Sequence, residues 1–481
     1  MLLKHFFLPK LAHSSYLLGG DRTCAIIDPR RDVQIYLDAA EELDLKITHI
    51  LETHLHADFI SGHLDLARLT GAEIFAPASA ECDFDHRPLS QGDRFSLEDM
   101  SIRVLETPGH TPEHISYAVT DTSRGDDPVG VFCGDTLFVG DVGRPDLFPG
   151  RARELADRLF DSLKKLLELP DFCEVYPAHG AGSLCGRAMG AKWRSTIGFE
   201  RRYNPALQIG DREDFITSLT TDMPPAPDHF SRCSDINRKG PAIVSQLPPM
   251  NKLDPGEFRS MAEKENSFVL DVRRYDAFGG QHVPGSWSVD FTGNLPTFAG
   301  WVVPPEKDIY LVATDGREAD EAAVWLRRVG LDRTMGWLDG GMFAWATRGL
   351  PTEHLPQLSA LEAGERHSAG MKLIDVRAPS EFQDSHVSGA ENIPAPDLRT
   401  RFEELDPEEE IMLACSTGHR STLAASILMS RGYGKLRNVA GGMKGLSAAA
   451  LAPACVMCTI PHGPKLLVRK VGDTVEKPVV S

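Results

Sequence analysis

The chain has 481 residues, of which 42% are hydrophobic and 25% charged, and 51 basic against 69 acidic side chains give a net charge of −18. Length predicts about three domains of roughly 100–200 residues each, and the composition is that of a globular protein with ample core. The acidic balance argues against nucleic acid as a partner class, no run of about 18 apolar residues offers a membrane span, and nine scattered cysteines predict the reduced thiols of a cytoplasm rather than a disulfide framework.

In chain order, Met1 to Pro9 is apolar but too short for a leader's hydrophobic region, and reads as a first strand. Ile47 to Leu51 is a second strand-like run. After it comes Thr53-His54-Leu55-His56-Ala57-Asp58-Phe59, then a helical pattern from Ile60 to Leu69. The strongest helix runs from Ala152 to Leu169, with Leu155, Leu159, Phe160, Leu163, Leu166 and Leu167 on one stripe and Pro170 as its stop. Proline-rich stretches at 223–227 and 248–249 bracket a linker. Beyond it, segments repeat at a spacing of about 100 residues. Phe268-Val269-Leu270-Asp271-Val272-Arg273 matches Leu373-Ile374-Asp375-Val376-Arg377. His282-Val283-Pro284-Gly285 matches His386-Val387-Ser388-Gly389. Leu338-Asp339-Gly340-Gly341-Met342 matches Val439-Ala440-Gly441-Gly442-Met443. Strand runs alternate with helical patterns in each copy, which predicts two α/β domains with parallel sheets. The division is 1–235, a linker at 236–254, copies at 255–352 and 358–455, and a tail at 456–481.

His54, His56 and Asp58 place three metal-ligand side chains within five residues. Imidazole and carboxylate hold zinc or iron at neutral pH, and a strand-to-helix loop lets them converge. Pro108-Gly109-His110-Thr111, Gly134-Asp135-Thr136 and Tyr176-Pro177-Ala178-His179-Gly180 add further ligand types beside loop-forming Gly or Pro. This order resembles the metallo-β-lactamase superfamily, whose first motif is His-x-His-x-Asp-His. That resemblance implies an αββα sandwich. Phe59 stands where the motif's last His belongs; because that His serves a second metal, its loss argues for one ion. In the superfamily His54, His56 and His110 would face one site, and Asp58 and His179 the other. The chain is most similar to the persulfide dioxygenase branch, also through Gly140-Asp141-Val142-Gly143-Arg144-Pro145-Asp146, although single-domain members usually keep a His at the Phe59 position. The branch implies one mononuclear non-haem Fe(II) held by His54, His110 and Asp135. His56, Asp58 and His179 would then orient ligands and bound water. Arg144 either pairs with Asp146 to hold the loop or meets an anionic substrate. Cys185 follows the His179 motif in a loop that would line the substrate mouth.

Asp-Val-Arg followed by His-x-x-Gly resembles the rhodanese family in both copies. The second copy carries Cys415-Ser416-Thr417-Gly418-His419-Arg420-Ser421 between a strand and a helix. Inward N–H groups and a helix start there stabilise a thiolate and cradle a persulfide. Cys415 is the nucleophile and Arg420 adds fixed positive charge; Ser416, Thr417, Gly418, His419 and Ser421 surround the substrate. The Cys-x4-Arg loop matches rhodaneses rather than the related phosphatases with Cys-x5-Arg. In the first copy Ala313 replaces the nucleophile, and Asp315 and Glu318 put negative charge where a persulfide would sit. This copy reads as catalytically silent: a spacer between the outer domains, a subunit interface, or a relic with no role of its own.

Together the resemblances imply oxidation of a low-molecular-weight thiol persulfide (of glutathione, coenzyme A or bacillithiol) by O2 to sulfite. Sulfur transfer through a Cys415 persulfide then gives or uses thiosulfate, in sulfide detoxification or sulfur metabolism by a cytoplasmic homo-oligomer. The main alternative is a metal-dependent thioester hydrolase of the glyoxalase II type with an accessory sulfur carrier. A third class is a non-enzymatic sulfur relay. Cys24 and Cys133 lie in strand-like runs and are expected in the core. Cys455-Val456-Met457-Cys458 lacks the second pair that a zinc site needs.

Overall fold

The computed structural model of the chain describes residues 1–187, 189–221, 223 and 226–453. The first unit is built on two six-stranded sheets. One takes the strands Leu2–Leu8, His13–Gly19, Thr23–Ile27, Lys46–Leu51, Glu73–Pro77 and Arg87–Leu89 in chain order. The other runs Ser195–Thr196, Glu174–Pro177, Gly130–Gly134, Ile115–Asp121, Met100–Glu106 and Arg94–Leu97. Their inner faces meet in one core that includes Tyr16, Leu51, Phe75, Ile102, Tyr117 and Phe132. Helices Gln34–Glu42 and His63–Thr70 cover the outer face of the first sheet. Helix Ala152–Leu166 covers the second, burying Leu155, Leu159, Phe160, Leu163 and Leu166. The layers are therefore helix, sheet, sheet, helix. That helix ends at Leu166 rather than at Leu169, in a turn that precedes Pro170, because the proline ring disfavours helical backbone just before it.

The two repeats share one topology. In the first, the parallel strands lie in the order Asn251–Leu253, Thr334–Leu338, Asp308–Val312, Ser267–Asp271, Trp287–Ser288. In the second, the order is Gln357–Leu358, Leu436–Val439, Ile411–Ala414, Lys372–Asp375, Glu391–Asn392. The Asp-Val-Arg motif closes on itself in both. Arg273 Nε and Nη2 donate to Asp271, and Arg377 Nε and Nη2 donate to Asp375, each carboxylate being buried. The guanidinium also donates to a loop carbonyl, of Gln281 or of Ser385. The pair thus ties the strand end to the following loop.

A single hydrophobic cluster joins all three units: Leu8, Leu11 and Phe59 of the first, Leu295 and Phe298 of the second, and Leu423 of the third. Arg328 donates through Nε and Nη2 to Asp32 at 2.6 and 2.8 Å, and the Ile60 N–H donates to the Arg328 carbonyl at 2.7 Å. Two elements cross the expected linker bounds. Helix His229–Lys239 spans position 235 and packs back on the first unit, where Asn237 donates to the His56 and Phe59 carbonyls. Strand Asn251–Leu253 forms the edge of the first parallel sheet. Among the described residues all seven cysteines are free thiols, Cys24 and Cys133 being fully buried, and no helix is long and apolar enough to cross a membrane. Cys455 and Cys458 lie outside the described residues.

Candidate metal centre and cysteine cavity

The metal motifs sit on loops that leave one end of the sandwich. Strand Lys46–Leu51 leads to His54, Gly130–Gly134 to Asp135, and Glu174–Pro177 to His179. The Ser14 N–H donates to the Ala178 carbonyl at 2.7 Å and draws the two sheets together there. Gly134 has φ +48°, and a Cβ on it would lie 2.4 Å from His114 Nε2 and 2.6 Å from Thr53 Oγ1. Only glycine fits at that close approach.

His54, His110 and Asp135 present one ligand atom each within 4.8 Å of one another. The nearest atoms are His54 Nε2 at 3.9 Å and His110 Nε2 at 3.3 Å from Asp135 Oδ2, with all three side chains fully buried. Thr53 Oγ1 donates to Asp28, so at 2.9 Å it accepts from His54 Nδ1. His110 Nδ1 donates to the Arg144 carbonyl at 2.9 Å. Both Nε2 atoms are left as buried lone pairs with no hydrogen-bond partner. Burial holds the His54 pKa well below its usual value, helped by His56, and burial likewise lowers that of His110. Burial alone would raise the Asp135 pKa, but His179, His110 and His54 outweigh it and hold it well below the carboxylate range. Two neutral imidazoles and one carboxylate, with fixed tautomers and orphaned lone pairs, fit one divalent ion with open positions.

The remaining motif residues turn elsewhere. His179 lies between two carboxylates: Nδ1 is hydrogen-bonded to Asp135 Oδ1 at 2.8 Å, while Nε2 faces Asp58 Oδ2 at 2.9 Å without a hydrogen bond. Burial works against its charge, but the two carboxylates raise its pKa well above normal. His56 Nε2 faces Asp28 Oδ1 at 3.2 Å and Glu52 Oε2 at 3.5 Å. Phe59 is fully buried, its ring centroid 4.1 Å from that of His13 and 4.4 Å from that of His56. His13 went unnoticed in the sequence because it lies in a strand without a motif; it is buried beside His179 and His56 with both nitrogens unpartnered. Cys185 groups with Asp58 and His179, again with ligand atoms within 4.8 Å, and burial raises its thiol pKa well above normal. Arg144 makes the first of its two expected contacts, the pair with Asp146. Its guanidinium is 1% exposed, pairs at two points with Asp146 at 2.7 Å and donates to the Leu184 carbonyl. It ties the loop down.

Cys415 follows strand Ile411–Ala414 and precedes helix His419–Met429. Its Sγ accepts from the Gly418 N–H at 3.1 Å and from Ser421 Oγ at 3.4 Å. Gly418 has φ +108°, the left-handed turn that points its N–H inward. Arg420 carries the fixed positive charge expected of it, but that charge is paired. It forms a buried two-point pair with Glu381 and also donates to Ser416 Oγ at 2.7 Å. Ser416 Oγ in turn reaches Glu381 at 3.3 Å, so this side chain is tied to the ion pair. Thr417 Oγ1 lies 2.9 Å from His419 Nδ1, and His419 Nε2 lies 3.4 Å from Asp290 Oδ2. Cys415, Thr417, His419 and Arg420 open on a small cavity. Asp290, Asn294 and Phe298 of the first copy line its other wall, which the sequence reading missed. In the first copy, Asp315 accepts from the Glu318 N–H at 2.9 Å and Glu318 from the Thr314 N–H at 2.5 Å. Its own carboxylates thus occupy N–H groups of the loop that corresponds to the Cys415 cradle.

Residues 8–179 match the Metallo-beta-lactamase superfamily, and residues 254–348 and 359–449 each match the Rhodanese-like domain. The chain is 31% identical over 259 residues to persulfide dioxygenase ETHE1, mitochondrial, of Mus musculus, covering 52% of this chain and 91% of that one. The chain belongs to the metallo-β-lactamase superfamily. It is also 40% identical over 158 residues to the hydroxyacylglutathione hydrolase of Rhodospirillum rubrum, a match to 32% of this chain and 57% of the relative's length. A crystal structure of a metallo-beta-lactamase from Staphylococcus aureus subsp. aureus COL aligns at 32% identity and TM-score 0.64, covering 70% of this chain and 98% of that one. The superfamily domain, an αββα sandwich with a site of the hydrolase and oxidase kind, is thus fused to two rhodanese-like α/β domains.

Proposed function

We propose that the first domain uses one Fe(II) to oxidise the outer sulfur of a low-molecular-weight thiol persulfide to sulfite, and that the third carries sulfane sulfur on Cys415. The observation that carries the reading is the pair of buried, unpartnered Nε2 atoms of His54 and His110 facing Asp135. With Phe59 in the motif's last position and His179 Nδ1 hydrogen-bonded to Asp135, we assign the single ion to His54, His110 and Asp135. Bound there, iron supplies the redox centre at which oxygen and sulfur combine. The protein's own part is positional. Thr53 and the Arg144 carbonyl fix the two imidazole tautomers, the Arg144–Asp146 pair holds the loop, and burial excludes bulk water. The likeness to the mouse persulfide dioxygenase, over 91% of its length, supports the same reading.

At the third domain the Cys415 thiolate takes sulfane sulfur, and the Gly418 N–H and Ser421 hydroxyl stabilise the sulfur anion. Sulfite from the first reaction is a chemically matched acceptor, giving thiosulfate; the reverse direction uses the same residues. Glutathione, coenzyme A and bacillithiol persulfides are the candidate substrates, and sulfide detoxification is the role.

A second reading is thioester hydrolysis by a metal-bound hydroxide, favoured by the 40% identity to a hydroxyacylglutathione hydrolase. It gives Cys415 no task. Full-length protein loaded with Fe(II) or Zn(II), offered glutathione persulfide and S-lactoylglutathione, separates the two. The proposal predicts iron-dependent oxygen uptake and negligible thioester cleavage; efficient thioester cleavage by the zinc form without oxygen uptake by the iron form would sink it.

A further inference from the structure

The silent copy reaches into the Cys415 cavity with one side chain whose bonding capacity is unused. Its helix Leu295–Val302 starts at the cavity with Asn294 as N-cap. Asparagine at that place ordinarily turns its side-chain oxygen onto the free N–H groups of the first turn. Asn294 makes no such bond. It is 6% exposed, and neither its Oδ1 nor its Nδ2 has a hydrogen-bond partner. A buried carboxamide with no partner is costly unless a ligand completes its bonds. Across the cavity, helix His419–Met429 also begins, with the Gly418 N–H on Cys415 Sγ. The N-terminus of helix His419–Met429 borders the cavity and favours an anion; helix Leu295–Val302, whose second residue is Pro296, contributes Asn294. The charged groups nearby are already engaged. Asp290 accepts from the Tyr275 and Thr292 N–H groups and from Thr292 Oγ1, and faces His419; Arg420 is held by Glu381.

We propose that Asn294 binds a sulfonate-type oxyanion, sulfite or the SO3 end of thiosulfate, beside Cys415, so that the silent copy completes the acceptor site of the active one. The proposal rests on the reading of Cys415 as a sulfur carrier. The Asn294 NH2 donates to a sulfonate oxygen and leaves the sulfite sulfur free to react. Its lone pair attacks the outer sulfur of the Cys415 persulfide anion and a new S–S bond forms. The bond from Sγ to the outer sulfur breaks, and its electron pair stays on Sγ. Sulfite dianion and persulfide anion become thiosulfate dianion and Cys415 thiolate, so charge is conserved. The sulfite sulfur is oxidised and the persulfide reduced.

The test uses full-length Asn294→Ala and Asn294→Asp, each also in a Cys415→Ser background. Transfer from thiosulfate to cyanide gives KM and kcat for a sulfonate donor, loading of Cys415 from glutathione persulfide reports a donor without that group, and calorimetric titration of sulfite into the Cys415→Ser forms measures the anion alone. Asn294→Asp is expected to raise the thiosulfate KM about tenfold or more, and Asn294→Ala by less, the loss of a hydrogen bond to a charged group. Loading from glutathione persulfide stays as in wild type, and sulfite affinity falls in parallel with KM. Unchanged thiosulfate KM and sulfite affinity in both variants overturn the proposal, as does an equal loss with both donors, which marks a structural role. If wild type forms no Cys415 persulfide from either donor, the carrier reading fails instead, and the sulfite titration still decides the role of Asn294.

Discussion

Glu381 holds Arg420 in a buried two-point ion pair, Nη1 to Oε2 at 2.6 Å and Nη2 to Oε1 at 3.0 Å. Glu381 comes from helix Pro379–Asp384, far from the Cys415 loop in sequence, and Ser416 Oγ joins the pair from within that loop. The pair fixes the loop's shape, and the sulfur anion is left to the Gly418 N–H, the Ser421 hydroxyl and the helix start.

Removing one partner leaves the other charge buried alone. Glu381→Gln is therefore expected to cost about 3–5 kcal/mol, read by urea denaturation, and to abolish sulfur transfer while oxygen uptake at the metal domain persists in the folded fraction.

The same pair sets an acid limb. Burial alone would raise the Glu381 pKa, but Arg420 outweighs it and lowers it. A carboxylate with a depressed folded pKa contributes stability above its unfolded value of about 4.3 and loses it as pH falls through the folded value. Between neutral pH and about pH 3 the wild type should lose more stability than Glu381→Gln. Parallel stability–pH curves for the two proteins would contradict this.

Metal content tests the ligand set. Wild type should bind one equivalent of iron per chain by elemental analysis. His54→Ala and Asp135→Ala should lose it, because two remaining donors make a weak site. Two tightly bound equivalents in wild type would contradict the one-ion account.

Phe59 links the metal domain to the silent copy through the shared core. Phe59→Ala should cost about 3–5 kcal/mol for the lost burial and cavity. Arg328→Ala removes the two-point contact with Asp32 across the same boundary. It should separate the calorimetric unfolding of the metal domain from that of the rest.

The candidate metal ligands were legible because each lies in a short loop motif beside Gly or Pro, and the repeat because Asp-Val-Arg encodes a local buried ion pair, Arg377 on Asp375 and Arg273 on Asp271. Partners distant in the chain left no local signal. Nothing in the Cys415 loop announces Glu381, and nothing near Asn294 announces Cys415. His13 sits in an ordinary strand pattern, Leu2–Leu8 pairing with His13–Gly19. The expected linker begins inside helix His229–Lys239, because the helix buries Phe230 and Cys233 and anchors Asn237 on the metal domain.

The most direct test is oxygen uptake by anaerobically purified, iron-loaded protein given glutathione persulfide, with sulfite and thiosulfate assayed in wild type and in Cys415→Ser. The account predicts iron-dependent uptake by both proteins, thiosulfate from wild type and sulfite from the variant. Absence of oxygen uptake by the iron-loaded wild type, or the same products from both proteins, would contradict it.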